Sequence, residues 1–313
     1  MAVYTPVEPT TLDAFLKDYD LGAPIACEGI LQGIENSNFR LDMTAGRFIL
    51  TVFERRAARA DLPYFLGLMD HLAGKGFPAP RPVRRRDGGL IGEIAGKPAA
   101  IVTFLEGAWP ERPTPDHAES AGGALARLHL AAADMACGRR NDLGRPDWRP
   151  LFERSAPRAD DVRPGLAADI RQTLDDLDAR WPSGLPAGAG HLDLFPDNIF
   201  FDDGRVSGVI DFYFAATDAY AYDLAITLNA WCFRDGAWRS DMAAAMVAGY
   251  ERARPLTAAE REALPLLLQG AAMRFLLTRL YGWLHPAPSG LVRPKDPLEQ
   301  LACLNRHRSD PRL

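Results

Sequence analysis

The chain has 313 residues, 47% hydrophobic and 25% charged, which fits an ordinary globular protein of one or two domains and excludes a disordered or fibrous one. A formal net charge of −5 offers no basic footprint for nucleic acid. The densest basic run, Arg84-Arg85-Arg86, leads into Asp87-Gly88-Gly89 and reads as a solvated strand end. The four cysteines, at 27, 137, 232 and 303, form no C-x-x-C pair, and the N-terminus lacks a signal peptide's basic start and apolar run. The expected compartment is therefore the cytoplasm, without membrane association.

In chain order, Thr10 or Thr11 is the expected N-cap of a short helix over LDAFLKDY. Three strands are predicted next, IACEGIL, NFRLDM and RFILTVF, the last two joined by a turn at Thr44-Ala45-Gly46. Residues 61–74 then place Leu62, Phe65, Leu66, Met69 and Leu72 on one helical face. After the extended Pro78, Pro80 and Pro82, GLIGEIAG and KPAAIVTFL read as two more strands. The second is nearly all apolar and so central or covered.

Beyond Glu106-Gly107 the text turns helical. Residues 115–133 are predicted as a helix with Ala124, Leu125, Leu128 and Leu130 inward. The apolar stretch 264–284 is interrupted by Gln269, Arg274 and Arg279, which argues for a buried amphipathic helix rather than a membrane span. Only residues 190–216 break the helical pattern, with short strands NIFFDD and VSGVIDF around a turn at Asp203-Gly204. The expected organisation is α+β: a small β-rich lobe over residues 1–105 with an antiparallel sheet and one helix, and a larger, mostly α-helical lobe over 106–313.

The stretch HLDLFPDN, His191 to Asn198, followed by VIDF at Asp211, has the spacing of a kinase catalytic loop and the metal-binding Asp on the hairpin after it. Phosphoryl transfer needs hard oxygen donors for Mg²⁺ and a separate carboxylate for the acceptor hydroxyl. The amide oxygen of Asn198 and Asp211 suit the first task, and Asp193 the second. The same residue types are also common in turns. His191 and Asp223, the latter opening a helix in YAYDLA, are expected to brace the loop rather than react.

With GGALARLHLA at 122–131, these motifs resemble the aminoglycoside phosphotransferase and choline kinase superfamily, relatives of the protein kinases. GIENSNFRL (33–41), ILTVFE (49–54), DLPYFLGLMDHLA (61–73) and IDFYFA (210–215) resemble the homoserine kinases within it, and the likeness spans nearly the whole chain. The resemblance implies a protein-kinase-like two-lobed fold and ATP as co-substrate with Mg²⁺. It also implies phosphorylation of the side-chain hydroxyl of L-homoserine on the way to threonine. It makes Asp193 the base, Asn198 and Asp211 the metal ligands, and Gln32 to Asn38 the phosphate-covering turn, with Gly33, Asn36, Ser37 and Asn38 as donors. It makes the segment around Phe104, Leu105 and Glu106 the adenine hinge.

Two departures stand out. The phosphate turn lacks G-x-G-x-x-G, so Ser and Asn donors must help the backbone. The third strand has Thr51 where a lysine normally meets the phosphates, a substitution the resembling homoserine kinases share; Arg55 or Arg56 reaches back, or the metal carries more of the neutralisation. For a zwitterionic acceptor, Asp193 or Asp218 is the expected partner of the ammonium and Arg274 or Arg279 of the carboxylate, with Tyr213, Tyr220 and Trp231 as walls. A kinase for choline, ethanolamine, an aminoglycoside or a sugar is the same-class alternative. An ATP-binding module that has lost catalysis with its lysine is the other.

Overall fold

The computed structural model describes residues 4–30, 36–54, 58–286 and 294–310. The chain divides into two units. The first gathers the residues up to Ala108 together with Ser207–Tyr213; the second holds Trp109–Val206 and the chain from Phe214 on. The change of character expected at residue 105 thus stands beside an observed boundary at Ala108, and the short return of the chain at Ser207–Tyr213 is invisible in sequence order.

The first unit opens with α1 (Pro9–Leu16), which begins before the expected threonine cap, with Glu8 at the N-cap position. Proline at the first helical position has the right φ already and lacks only an N–H that the first turn does not use. Five strands follow, interrupted by one helix: β1 (Pro24–Ile30), β2 (Ser37–Met43), β3 (Gly46–Val52), α2 (Leu62–Gly74), β4 (Gly92–Ile94) and β5 (Lys97–Thr103). They form an antiparallel sheet in the order β1-β2-β3-β5-β4, so β3 is the middle strand and apolar β5 is interior, paired on both sides, in keeping with the expectation that it be central or covered. β4 is shorter than GLIGEIAG because Ala95 and Gly96 both take positive φ, making the two-residue turn that pairs Ile94 with Lys97.

Alternation along β2 puts Phe39, Leu41 and Met43 on one face, packed with Leu12, Phe15 and Leu16 of α1 and with Leu50, Val52 and Ile101. Thr51 lies opposite Asn38 in the ladder and opposite Ala100 on its other side, on the face away from α1. The five apolar residues expected on one face of α2 are all buried.

The second unit comprises α3 (Pro115–Ala131), α4 (Arg145–Glu153), α5 (Ala159–Val162), α6 (Leu166–Arg180), β6 (Ala187–Gly190), β7 (Ile199–Asp202), β8 (Arg205–Val209, whose last residues group with the first unit), β9 (Ala216–Ala219), α7 (Tyr220–Cys232), the two-residue strands β10 (Phe233–Arg234) and β11 (Ala237–Trp238), α8 (Ser240–Ala253), α9 (Ala258–Leu284) and α10 (Pro297–Ser309). The Asp203-Gly204 turn between β7 and β8 has both residues at positive φ, as a two-residue type I′ turn requires. α3 and α8 pack backbone to backbone: a Cβ added to Gly122 would strike the Met246 carbonyl, and one added to Gly249 the Glu119 carbonyl. On α3 the expected inward Leu130 is 50% exposed, and His129 is buried in its place; the helical period, rather than hydrophobicity, decides which of the two neighbours turns inward. No helix among the described residues is long and apolar enough to cross a membrane.

Candidate active site

The second unit builds the HLDLFPDN loop from a buried carboxylate outward. β6 pairs with β9 through Gly190 and Ala216, delivering the chain to His191. Asp223, on the first turn of α7 and 1% exposed, accepts hydrogen bonds from the backbone amides of His191 and Leu192, both at 2.7 Å. Its Oδ2 also accepts Nε2–H of buried His129 at 3.0 Å, while Nδ1 of that ring accepts the Tyr250 hydroxyl at 2.8 Å. Burial alone would raise the Asp223 pKa, but the His129 hydrogen bond, the two histidines and the Leu192 amide hold it below the ordinary carboxylate value. Residue 190 must be glycine for this approach, since a Cβ there would lie 2.6 Å from Asp223 Oδ2.

Leu192 itself sits at φ 59°, a conformation that costs a non-glycine residue on the order of 1–3 kcal/mol and persists only when its surroundings over-determine it. They do so here. Asp223 holds its amide, and Nη1 of Arg274 donates to its carbonyl. Arg274 is 2% exposed, lies over the rings of Phe275 and Phe214 at 4.5 and 5.5 Å, and brings Nη2 to 3.9 Å from Asp193 Oδ1. Trp231 Nε1 donates to the Leu194 carbonyl at 3.0 Å, so this buried indole braces the loop from below.

Within that frame, the Asp193 side chain keeps 15% of its surface exposed. Its amide donates to His191 Nδ1 at 3.3 Å, and its carbonyl accepts both the Phe195 amide and Asn198 Nδ2 at 2.8 Å. The Asn198 bond commits the NH₂ end of that amide to the loop and turns the oxygen end away from it. Asp193 thus presents a carboxylate, and Asn198 a neutral hard oxygen, on a loop whose backbone is tied at four points.

In the first unit, Asp211 follows β8 at φ 64°, an αL conformation that aspartate tolerates better than most residues. Tyr213 packs edge-on against Phe53 and Phe65 at 5.3 and 5.8 Å and hydrogen-bonds Thr51. Thr51 is buried and donates to Asn38 Oδ1 at 2.8 Å. Ser37, also buried, accepts the amides of Tyr4 and Thr5 and donates to Glu54 Oε1 at 2.7 Å. Asn36 accepts the Glu54 amide at 3.3 Å. Of the expected phosphate turn, Gly33 and Gln32 lie outside the described residues, as do Arg55 and Arg56. The Phe104 amide donates to the Arg47 carbonyl and the Glu106 carbonyl accepts the Ser207 hydroxyl, with Leu105 between them.

Asn36, Ser37, Asn38 and Thr51 are therefore held together by the sheet's own hydrogen bonds. The acid of this network is Glu54, bonded by Lys97 and by Thr5 and Ser37; burial would raise its pKa, and these three partners lower it overall. Sequence reading assigned no role to Glu54, Lys97, His129 or Tyr250. The signals were present only as the last residue of ILTVFE and the histidine of GGALARLHLA.

The residues expected at the acceptor separate. Asp218 in β9 lines a cavity of the second unit, with Asn141 Nδ2 at 2.6 Å and the Ala219 amide at 2.8 Å on its two oxygens. Arg274 touches the HLDLFPDN loop instead, Trp231 supports it, and Tyr213 belongs to the aromatic core of the first unit. Arg279 pairs with Glu299 at 2.7 Å, the ordinary outcome for an arginine on an amphipathic helix.

Residues 26–256 match the model of the phosphotransferase enzyme family. The chain is 54% identical over 310 residues to a homoserine kinase of Xanthobacter autotrophicus, covering 99% of this chain and 97% of that protein. The figures are the same for a homoserine kinase of Rhodospirillum rubrum. Among solved structures, an amicoumacin kinase in complex with AMP-PNP, Ca²⁺ and Ami superposes with a TM-score of 0.69 at 16% identity, over 97% of this chain and 92% of that one; this likeness speaks to the fold. The chain belongs to the phosphotransferase enzyme family.

Proposed function

We propose that this protein is an ATP-dependent kinase that phosphorylates the side-chain hydroxyl of L-homoserine to O-phospho-L-homoserine, on the way to threonine. The observation that carries the acceptor is the 54% identity to homoserine kinases across 99% of the chain. The tethered loop supports the chemistry. Asp193 acts as base: it orients the acceptor hydroxyl and takes its proton as the oxygen attacks the γ-phosphorus.

The residues fit Mg²⁺ as ATP's companion. Asn198 has its NH₂ committed to the Asp193 carbonyl, leaving an oxygen donor, and Asp211 offers a carboxylate; both are the hard ligands that Mg²⁺ prefers. When bound, the ion supplies neutralisation of phosphate charge. Among the described residues no group of three or more His, Cys, Asp or Glu is placed to hold a metal; a bound Mg²⁺ would draw its remaining ligands from phosphate and water oxygens. Arg274 fixes the Leu192 carbonyl and adds positive charge beside Asp193, keeping the base in register.

The test is ADP release with Mg·ATP against L-homoserine, choline, ethanolamine, kanamycin and a sugar panel. Turnover confined to L-homoserine is the expected result. Preferential turnover of choline or kanamycin, or ATP binding without turnover of any acceptor, contradicts the proposal.

A further inference from the structure

The cavity that Asp218 lines measures about 240 Å³ and is bounded by Arg140, Asn141, Arg145, Trp181, Asp218 and Tyr222 among others, all within the second unit. It falls below the ~300 Å³ at which clefts for drug-sized ligands begin, so it suits a molecule of a few heavy atoms rather than a polycyclic antibiotic. Its polar groups are of two kinds. Asp218 has one hydrogen bond on each oxygen, half the acceptor capacity of a carboxylate. Burial raises its pKa against the opposing Asn141 and Ala219 hydrogen bonds. Tyr222 is 1% exposed, and its hydroxyl has no partner among the described residues, although buried phenols normally find one. Arg145 holds Asp178 through Nη1 at 2.9 Å, and Trp181 walls the cavity, edge-on to Tyr222 at 5.7 Å.

One guanidinium connects this cavity to the loop. Arg274 acts electrostatically on both Asp218 and Tyr222, and its Nη2 lies 3.9 Å from Asp193. Arg274 is itself committed to the Leu192 carbonyl and is not among the residues lining the cavity, so the cation for an acceptor carboxylate must come from the wall.

Resting on the kinase reading above, we infer that this cavity binds the α-amino acid head group of the acceptor. Asp218, oriented by Asn141, receives the α-ammonium, and the Tyr222 hydroxyl with Arg145 receives the α-carboxylate. The two-methylene arm then carries the hydroxyl toward Asp193. The site selects a small zwitterion: choline and ethanolamine lack the carboxylate, and kanamycin exceeds the volume.

The test measures KM for L-homoserine, KM for Mg·ATP and kcat in the wild type, Asp218→Asn, Tyr222→Phe and Arg145→Gln, with thermal melts to establish folding. It also compares 4-hydroxybutanoate, which lacks the ammonium, and 3-aminopropanol, which lacks the carboxylate. Asp218→Asn should raise the homoserine KM at least roughly tenfold, the loss expected for a hydrogen bond to a charged group. The ATP KM should stay put, and 4-hydroxybutanoate should be used as before. Tyr222→Phe, which removes one oxygen and keeps the ring, and Arg145→Gln should raise the homoserine KM and leave 3-aminopropanol unaffected. If folded variants keep the homoserine KM within about twofold of a wild type that turns homoserine over, the inference falls while the kinase reading stands. A wild type that does not use homoserine overturns both.

Discussion

The HLDLFPDN loop of the second unit and the Asn36–Asn38 segment of the first are built from the same residue types, yet they use them in opposite ways. In the loop, partners hold the backbone and the unreactive ends of side chains: from elsewhere Asp223 takes two amides and Arg274 a carbonyl, and within the loop the Asp193 carbonyl takes the NH₂ of Asn198. In the sheet, the functional ends themselves are occupied. The Ser37 hydroxyl meets Glu54, and the Thr51 hydroxyl meets Asn38. A polar residue is available for chemistry when its neighbours satisfy the atoms around the functional one, and structural when they satisfy that atom itself.

The largest effect that separates the two regions is expected from Asp223→Ala. It leaves two buried amides and His129 without their acceptor and removes the support for the Leu192 backbone. Losing one member of a buried charged network costs about 3–5 kcal/mol, measurable by urea denaturation, and kcat should fall by ~10² or more through misplacement of Asp193. Unchanged kcat in a folded variant would mean that Asp223 does not position the loop. Gly190→Ala attacks the same clamp through its 2.6 Å approach to Asp223; overpacking of this kind costs about 1–3 kcal/mol, with homoserine turnover reduced in proportion to the displaced loop.

Ser37→Ala probes the other region. Two backbone amides and Glu54 lose a partner, for roughly 1–2 kcal/mol of stability, while the KM for Mg·ATP remains within about twofold. A tenfold rise in that KM at unchanged stability would return Ser37 to the phosphates and erase the contrast.

The finest distinction is in pH. Asp223 and Glu54 both have folded-state pKa values held below their ordinary ones. The stability each contributes is therefore fully present above the unfolded values of about 3.9 and 4.3, and is lost as pH falls through the lower folded values. Asp223→Asn and Glu54→Gln should each flatten the acid limb of the stability curve. Only Asp223→Asn should also lower activity at neutral pH, because only that carboxylate holds the loop proposed to carry the base.

Much of this was legible in the sequence. The turn around Thr44-Ala45-Gly46, the apolar face of α2 and the interior place of β5 follow from periodicity and turn chemistry. Partners supplied across long separations were not. Nothing local marks His129 as the residue that meets Asp223, or Lys97 as the one that meets Glu54, because these contacts span 94 and 43 positions. Arg274 was legible as a polar group on an apolar helix and Trp231 as an aromatic that could wall a pocket, but whether such a group meets a ligand or a loop carbonyl depends on which segment ends beneath it.

The most direct measurement is kcat and Mg·ATP affinity for Asp193→Asn with L-homoserine as acceptor. If the tethered loop presents that carboxylate as the base, as proposed, kcat should fall by ~10³ or more while the Kd for Mg·ATP stays within about threefold. A kcat within tenfold of the wild type would contradict the account, since the loop would then be holding the wrong residue.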